Sequence, residues 1–214
     1  MRWDIINSVI MAVGAKSYLE IGIMYGDVFN QIQAERKVGV DPDLQNFKRG
    51  KGDVGYTLHE STSDDFFSSY KGDFFDVIFI DGLHKFEQVR KDLENALNIL
   101  TEGGAIILHD TMPPDARYVT DEPTLKSRSG NWLWCGDVWR IFSYLCMRGD
   151  LNYWTVDEDY GCTVVLKLPR TDKGRHPDNW TYYYPNRLKA GRVVAAQDLL
   201  SKLYGPKCEG TISA

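Results

Sequence analysis

The stretch Phe74-Phe75-Asp76-Val77-Ile78-Phe79-Ile80 is the most apolar strand-like run in the chain. Nothing in it alternates with a period of two. Continuous runs of this kind suit a strand covered on both faces, which occurs almost only in α/β sheets with helices above and below. Around it the same pattern repeats. Ser17–Ile21, residues 37–40, residues 55–59 and Ala105–Leu108 read as further short strands. Between them lie stretches with helical spacing: Val28, Phe29 and Ile32 within 27–35, a capped start at Ser61 or Ser63 ahead of Asp64 and Asp65, and Phe86, Val89, Leu93, Leu97 and Leu100. Gly103-Gly104 reads as the stop of that last helix. Alternation of this kind predicts right-handed crossovers and a doubly wound, mostly parallel, Rossmann-like α/β sheet.

An amphipathic helix over 3–13 precedes the first strand, stopped at Gly14. After Asp110 the pattern changes. Residues 111–135 carry three prolines, charges, Trp132 and Trp134, and loops of that length are usually functional, here a lid. A helix over 137–147 follows. The runs 152–156 and 162–168, joined by Asp157–Gly161, read as an antiparallel C-terminal hairpin. Residues 1–168 thus form one domain with an N-terminal helix and lid. Residues 169–214 form a C-terminal extension, polar and aromatic without periodicity until a last helix over 192–203. The 214 residues suffice for a chain that buries roughly 70% of its unfolded surface.

The net charge of −5, without clustered Lys or Arg, argues against a nucleic-acid partner. No apolar run approaches the roughly 20 residues of a membrane span. With Cys135, Cys146, Cys162 and Cys208 forming no CxxC pair and no signal peptide in view, the expectation is reduced thiols in a cytoplasmic protein.

Chemistry concentrates at strand ends, where open α/β sheets bind ligands. In Glu20-Ile21-Gly22-Ile23-Met24-Tyr25-Gly26 a strand ends in an acid and two glycines flank a tight turn into the predicted helix, whose N-terminus would offer free N–H groups. Asp41, 21 residues after Glu20, ends the next strand where an acid can bond ribose hydroxyls. The spacing G-x-x-x-G departs from the dinucleotide fingerprint and weakens a NAD-dependent oxidoreductase reading. Asp81-Gly82-Leu83-His84 and His109-Asp110 bring two carboxylates and two imidazoles to adjacent strand ends, if those strands are neighbours. Such a group can hold a hard divalent cation through Asp81 and Asp110, or supply a histidine base. It can also be no more than a helix cap and its first turn. Trp132, Trp134, Tyr153, Trp154 and Tyr160 read either as a stacking pocket for a sugar or aromatic ring or as core and subunit contact.

These residues resemble a known family. Leu19-Glu20-Ile21-Gly22 through Gly26 with Val38-Gly39-Val40-Asp41 are similar to motif I and the ribose acid of class I S-adenosylmethionine-dependent methyltransferases. Asp76–Asp92 with Gly103-Gly104-Ala105-Ile106-Ile107-Leu108-His109-Asp110 resembles the methyltransferase domain 24 subgroup, over roughly residues 15–168. Phe86 stands where that subgroup often has tyrosine. The resemblance implies that Glu20, Gly22 and Gly26 hold the methionine part of S-adenosylmethionine. It implies that Asp41 takes the ribose, that Thr62, Ser63 and Asp64 border the adenine, and that Asp81 lies near the methyl donor. It further implies Asp81 and Asp110 as ligands of Mg2+, with Thr111 departing from the asparagine of catechol-type relatives. The expected function is methyl transfer to oxygen of a small-molecule or sugar-like acceptor, with His84 or His109 as base. A catalytically silent cofactor-binding or assembly module is the alternative, and a second copy of the chain is an admissible partner.

Overall fold

The structure is a computed structural model that describes residues 1–50, 55–128, 130, 132–170 and 179–204. Cys208 and the predicted loop residues 171–178 lie outside them. One eight-stranded sheet forms the centre. Its strands are β1 (Ser17–Ile21), β2 (Arg36–Asp41), β3 (Tyr56–Glu60), β4 (Phe75–Ile80), β5 (Leu100–Leu108), β6 (Asn152–Val156), β7 (Cys162–Leu166) and β8 (Val193–Val194). They lie in the order β3-β2-β1-β4-β5-β7-β6-β8. The first five run parallel, and β7 pairs antiparallel with both β5 and β6. The order reverses between β1 and β4, so the ends of these two strands flank the switch point at which such sheets take ligands.

Helices cover both faces. Leu19, Ile21, Ile78, Ile80, Ile106 and Leu108 pack against α2 (Ser63–Ser69), α3 (Phe86–Asn98), α4 (Ile141–Met147) and α5 (Trp180–Ala190). The alternate residues Tyr18, Val77, Phe79, Ala105 and Ile107 pack against α1 (Arg2–Val13) and α6 (Ala196–Tyr204). This two-sided burial is why β4 reads as an unbroken apolar run. Residues 180–204 add α5, β8 and α6 to these same layers. Of the described helices, none is long and apolar enough to cross a membrane. Cys135, Cys146 and Cys162 are buried.

Three predicted elements differ. No helix follows the Gly22–Gly26 loop: residues 27–35 make a single 3-10 turn, Phe29–Gln31. Phe29 and Ile32 are buried as their spacing required. The backbone, however, finds its partners elsewhere. Asn7 of α1 donates to the Gln31 carbonyl and accepts from Gln33 N, at 3.0 Å each. Nine residues offer little helix to repay a costly nucleus, and the partner that Asn7 supplies to Gln31 and Gln33 stands in for one. Second, Gly103-Gly104 does not stop α3, which ends at Asn98. The pair lies inside β5, where the register against β4 slips between Phe75 and Val77, a bulge. A Cβ on Gly104 would stand 2.6 Å from the Asp76 carbonyl. Third, residues 180–190 form α5 although Pro185 interrupts their pattern. Trp180 and Tyr183 hold it against Trp139, with the Trp139 and Tyr183 rings stacked 4.7 Å apart.

Candidate active site

The Gly22–Gly26 loop leaves β1 and returns to β2. Gly22 takes φ +88, and a Cβ there would stand 2.3 Å from the Asp81 carbonyl, so this crossing admits only glycine. Asp41 ties the loop down: its Oδ2 accepts from Met24 N at 2.8 Å and its Oδ1 from Asp43 N at 2.9 Å. A carboxylate has about four acceptor positions, so Asp41 keeps capacity for a ribose hydroxyl. The helix N-terminus expected beside it does not exist. Glu20 points below the loop, buried on the α1 face, and accepts from Tyr18 Oη at 2.5 Å. Burial, chiefly, and the nearby Asp81 push its carboxyl up to about 8, against the opposing bond from Tyr18. Thr62 caps α2 by accepting from Asp65 N. Ser63 and Asp64 face α3, where Gln88 donates to both and Lys91 pairs with Asp64.

β4 and β5 are neighbours, so Asp81, His84, His109 and Asp110 do gather. Asp110 adopts φ 58, a left-handed conformation uncommon outside glycine; strain of this kind clusters at functional sites. His109 Nε2 lies 2.6 Å from the Asp159 carbonyl oxygen and Nδ1 lies 3.0 Å from Asp81 Oδ1. A doubly protonated ring satisfies both acceptors, although Arg2 Nη1, itself a donor, also lies 3.2 Å from Nδ1. Burial opposes that charge, but Asp110 and Asp81 outweigh it and raise the His109 pKa well above the usual range. Burial would likewise raise Asp81, yet His109, Arg2 and His84 hold its pKa at about 2.

His84 is arranged differently. Its Nδ1 lies 2.8 Å from the Trp134 carbonyl and 3.1 Å from Asp110 Oδ2, and its ring stacks on the Trp134 indole at 5.0 Å. The Nδ1–H therefore donates, and Nε2 lies 3.8 Å from Asp81 Oδ1. The end of the 111–135 segment is fastened here. Asp137 N donates to the His84 carbonyl, and Gly136, at φ +56, passes so close that a Cβ would overlap it. Burial first, then Asp110 and Asp81, push the Cys135 thiol far up, so it remains an S–H beside Asp110. Of the aromatic group, Trp134 and Tyr160 lie at this end, the latter against Tyr118. Tyr153 is core, and Trp132 is 54% exposed.

Two residues of the cluster escape sequence reasoning. Arg2 Nη1 donates to Asp81 Oδ2 at 2.7 Å, and Arg2 Nε donates to Asp159 Oδ2 at 3.0 Å. The partners are 79 and 157 residues away, and no local pattern marks them.

Asp81, His84 and Asp110 each place one donor atom within 4.8 Å of the others, near enough for one cation. The bonding does not fit a hard divalent ion. Both Asp81 oxygens are already taken by the cations Arg2 and His109, and His84 Nδ1 is a donor.

Residues 19–111 match the family model described as a methyltransferase domain. Over that stretch the chain is similar to methyltransferase domains. No curated protein matches it in sequence. Among solved structures the chain resembles the O-methyltransferase from Bacillus cereus in complex with SAH, with 16% identity, a TM-score of 0.57, and 78% of this chain and 80% of that one covered. An O-methyltransferase from Streptomyces achromogenes involved in tomaymycin synthesis, in complex with SAM, gives 16% identity, a TM-score of 0.54, and 78% and 79% coverage. A SAH-bound methyltransferase from Podospora anserina gives 19%, 0.52, and 75% and 76%. At such identities the likeness establishes the Rossmann-like fold.

Proposed function

We propose that this methyltransferase domain moves a methyl group from S-adenosylmethionine to an oxygen of a small-molecule or sugar-like acceptor, with His84 as the general base. The observation that carries this reading is the geometry of His84. A carbonyl holds its Nδ1, an indole fixes its ring plane, and its Nε2 faces the end of β4 beside Asp81. The matched family and the SAM- and SAH-bound structural relatives support the choice of cofactor, and the O-methyltransferases among them support the choice of oxygen.

Bound S-adenosylmethionine supplies an already electrophilic methyl group, so the protein's share is positioning and removal of the acceptor proton. The Gly22–Gly26 loop and Asp41 hold the cofactor, with Asp41 on the ribose. His84 Nε2 takes the hydroxyl proton. The Trp134 carbonyl and the Asp110 carboxylate, both beside Nδ1–H, stabilise the imidazolium that results. His109 already carries its proton and serves as a fixed cation under Asp81. No step is assigned to a metal.

Calorimetry with S-adenosylhomocysteine tests the cofactor half, and micromolar binding is expected. No binding at millimolar concentration would overturn it. For the acceptor half, His84→Ala should slow transfer to hydroxylated acceptors by roughly 100- to 10,000-fold and leave S-adenosylhomocysteine affinity unchanged. Full turnover in that variant would remove His84 from the mechanism.

A further inference from the structure

We infer that Arg2 is the resident cation of this site, a positioning residue whose guanidinium holds Asp81 in the place where a divalent ion would otherwise bind. The inference deepens the methyltransferase reading by adding the N-terminal helix to the active site, and it rests on that reading only for the reaction that Arg2 serves.

Three observations support it. Arg2 is gripped from two sides. Besides the bond to Asp81, its Nε and Nη2 meet the two oxygens of Asp159 at 3.0 and 3.3 Å, and its own backbone N–H reaches Asp159 Oδ2 at 3.2 Å. A planar guanidinium suits such a fork, and it carries its charge at every working pH. Second, the grip is built at some conformational cost. Asp159 and Tyr160 sit in successive left-handed conformations, φ 51 and 66, at the turn between β6 and β7. That turn also sends the Asp159 carbonyl to His109 and the Tyr160 carbonyl to Met112 N. Third, with Arg2 donating to Asp81 Oδ2 at 2.7 Å and His109 Nδ1 lying 3.0 Å from Oδ1, neither oxygen can enter a cation's shell without displacing a side chain already on it. Carboxylates that anchor Mg2+ or Mn2+ are open to the ion and its waters; Asp81 is closed.

The test is Mn2+ binding followed by electron paramagnetic resonance, with the full chain and no acceptor. Wild type should show no site tighter than millimolar. Arg2→Met, which keeps the length and removes the charge, should bind Mn2+ at least tenfold tighter, and adding Asp81→Asn should abolish the gain. Equal affinity in wild type and Arg2→Met would overturn the inference. So would a micromolar site in wild type that Asp81→Asn removes, and that comparison decides the matter by itself if circular dichroism shows Arg2→Met unfolded. S-adenosylhomocysteine binding, measured on the same samples, reports on the methyltransferase reading separately.

Discussion

Replacing Glu20 by glutamine isolates one proton. In the folded chain the Glu20 carboxyl is held at about 8 against an ordinary 4.5, so near neutrality the folded state keeps a proton that the unfolded state has released. A group raised in this way contributes its full stability below about pH 4.5 and loses it as pH rises through about 8. Each pH unit inside that window is worth about 1.4 kcal/mol per proton. Integrated between pH 5 and pH 8, the linkage relation gives a loss of about 3.5 kcal/mol. Glutamine still offers Tyr18 Oη an acceptor and does not titrate. Other ionisable groups are common to both proteins and cancel in the difference. Urea unfolding of wild type and Glu20→Gln at several pH values, followed by circular dichroism, should therefore show the variant gaining about 3.5 kcal/mol on wild type across this range, with unchanged m-values. A stability difference that stays flat within about 1 kcal/mol would show that Glu20 is ionised in the folded chain and that its burial does not hold the proton.

Phe29→Ala should destabilise the fold by about 3–5 kcal/mol in the same assay, because this fully buried ring sits in edge contact with Phe47 and Tyr56 where a crossover helix would otherwise cover the sheet; a loss below about 1 kcal/mol would mean the 27–35 segment contributes no core. Asp92, buried on α3 with its carboxyl raised to about 6, chiefly by burial, predicts that Asp92→Asn gains stability on wild type as pH rises from about 4 through 6 and levels off above that, and a gap independent of pH in urea titrations would refute it.

The sheet is legible in the sequence because its strands are buried on both faces and need unbroken apolar runs. What surrounds the strands is less so, for reasons particular residues make plain. The spacing of Phe29 and Ile32 reports burial correctly and backbone conformation wrongly, since the same side chains are buried by a turn that Asn7 completes from another element. Gly103-Gly104 fits a helix stop and a bulge equally well, and only the β4 register decides between them. His84, His109, Asp81 and Asp110 are legible as a group because strand ends collect ligands and β4 adjoins β5. Their division of labour is not, because it turns on carbonyls: Trp134 leaves His84 a free nitrogen, and Asp159 denies His109 one. Backbone acceptors carry no residue-type signature.

The missing crossover helix changes what cofactor binding must depend on. Without a helix N-terminus the loop has no macrodipole to offer an anionic group, and the 22–26 segment must be held by something else. Asp41 does this through Met24 N, so the acid proposed for the ribose also shapes the loop. The two tasks are separable. Asp41→Asn retains an oxygen for Met24 N and loses the charge, whereas Asp41→Ala loses both. Bonds to a charged acceptor are worth about 1.5–3 kcal/mol, so Asp41→Ala should weaken S-adenosylhomocysteine binding by roughly tenfold or more, with Asp41→Asn between it and wild type. If Asp41→Ala binds as tightly as wild type in calorimetry, the ribose lies elsewhere. If Asp41→Asn is as weak as Asp41→Ala, the carboxylate charge rather than the shape of the loop governs the affinity.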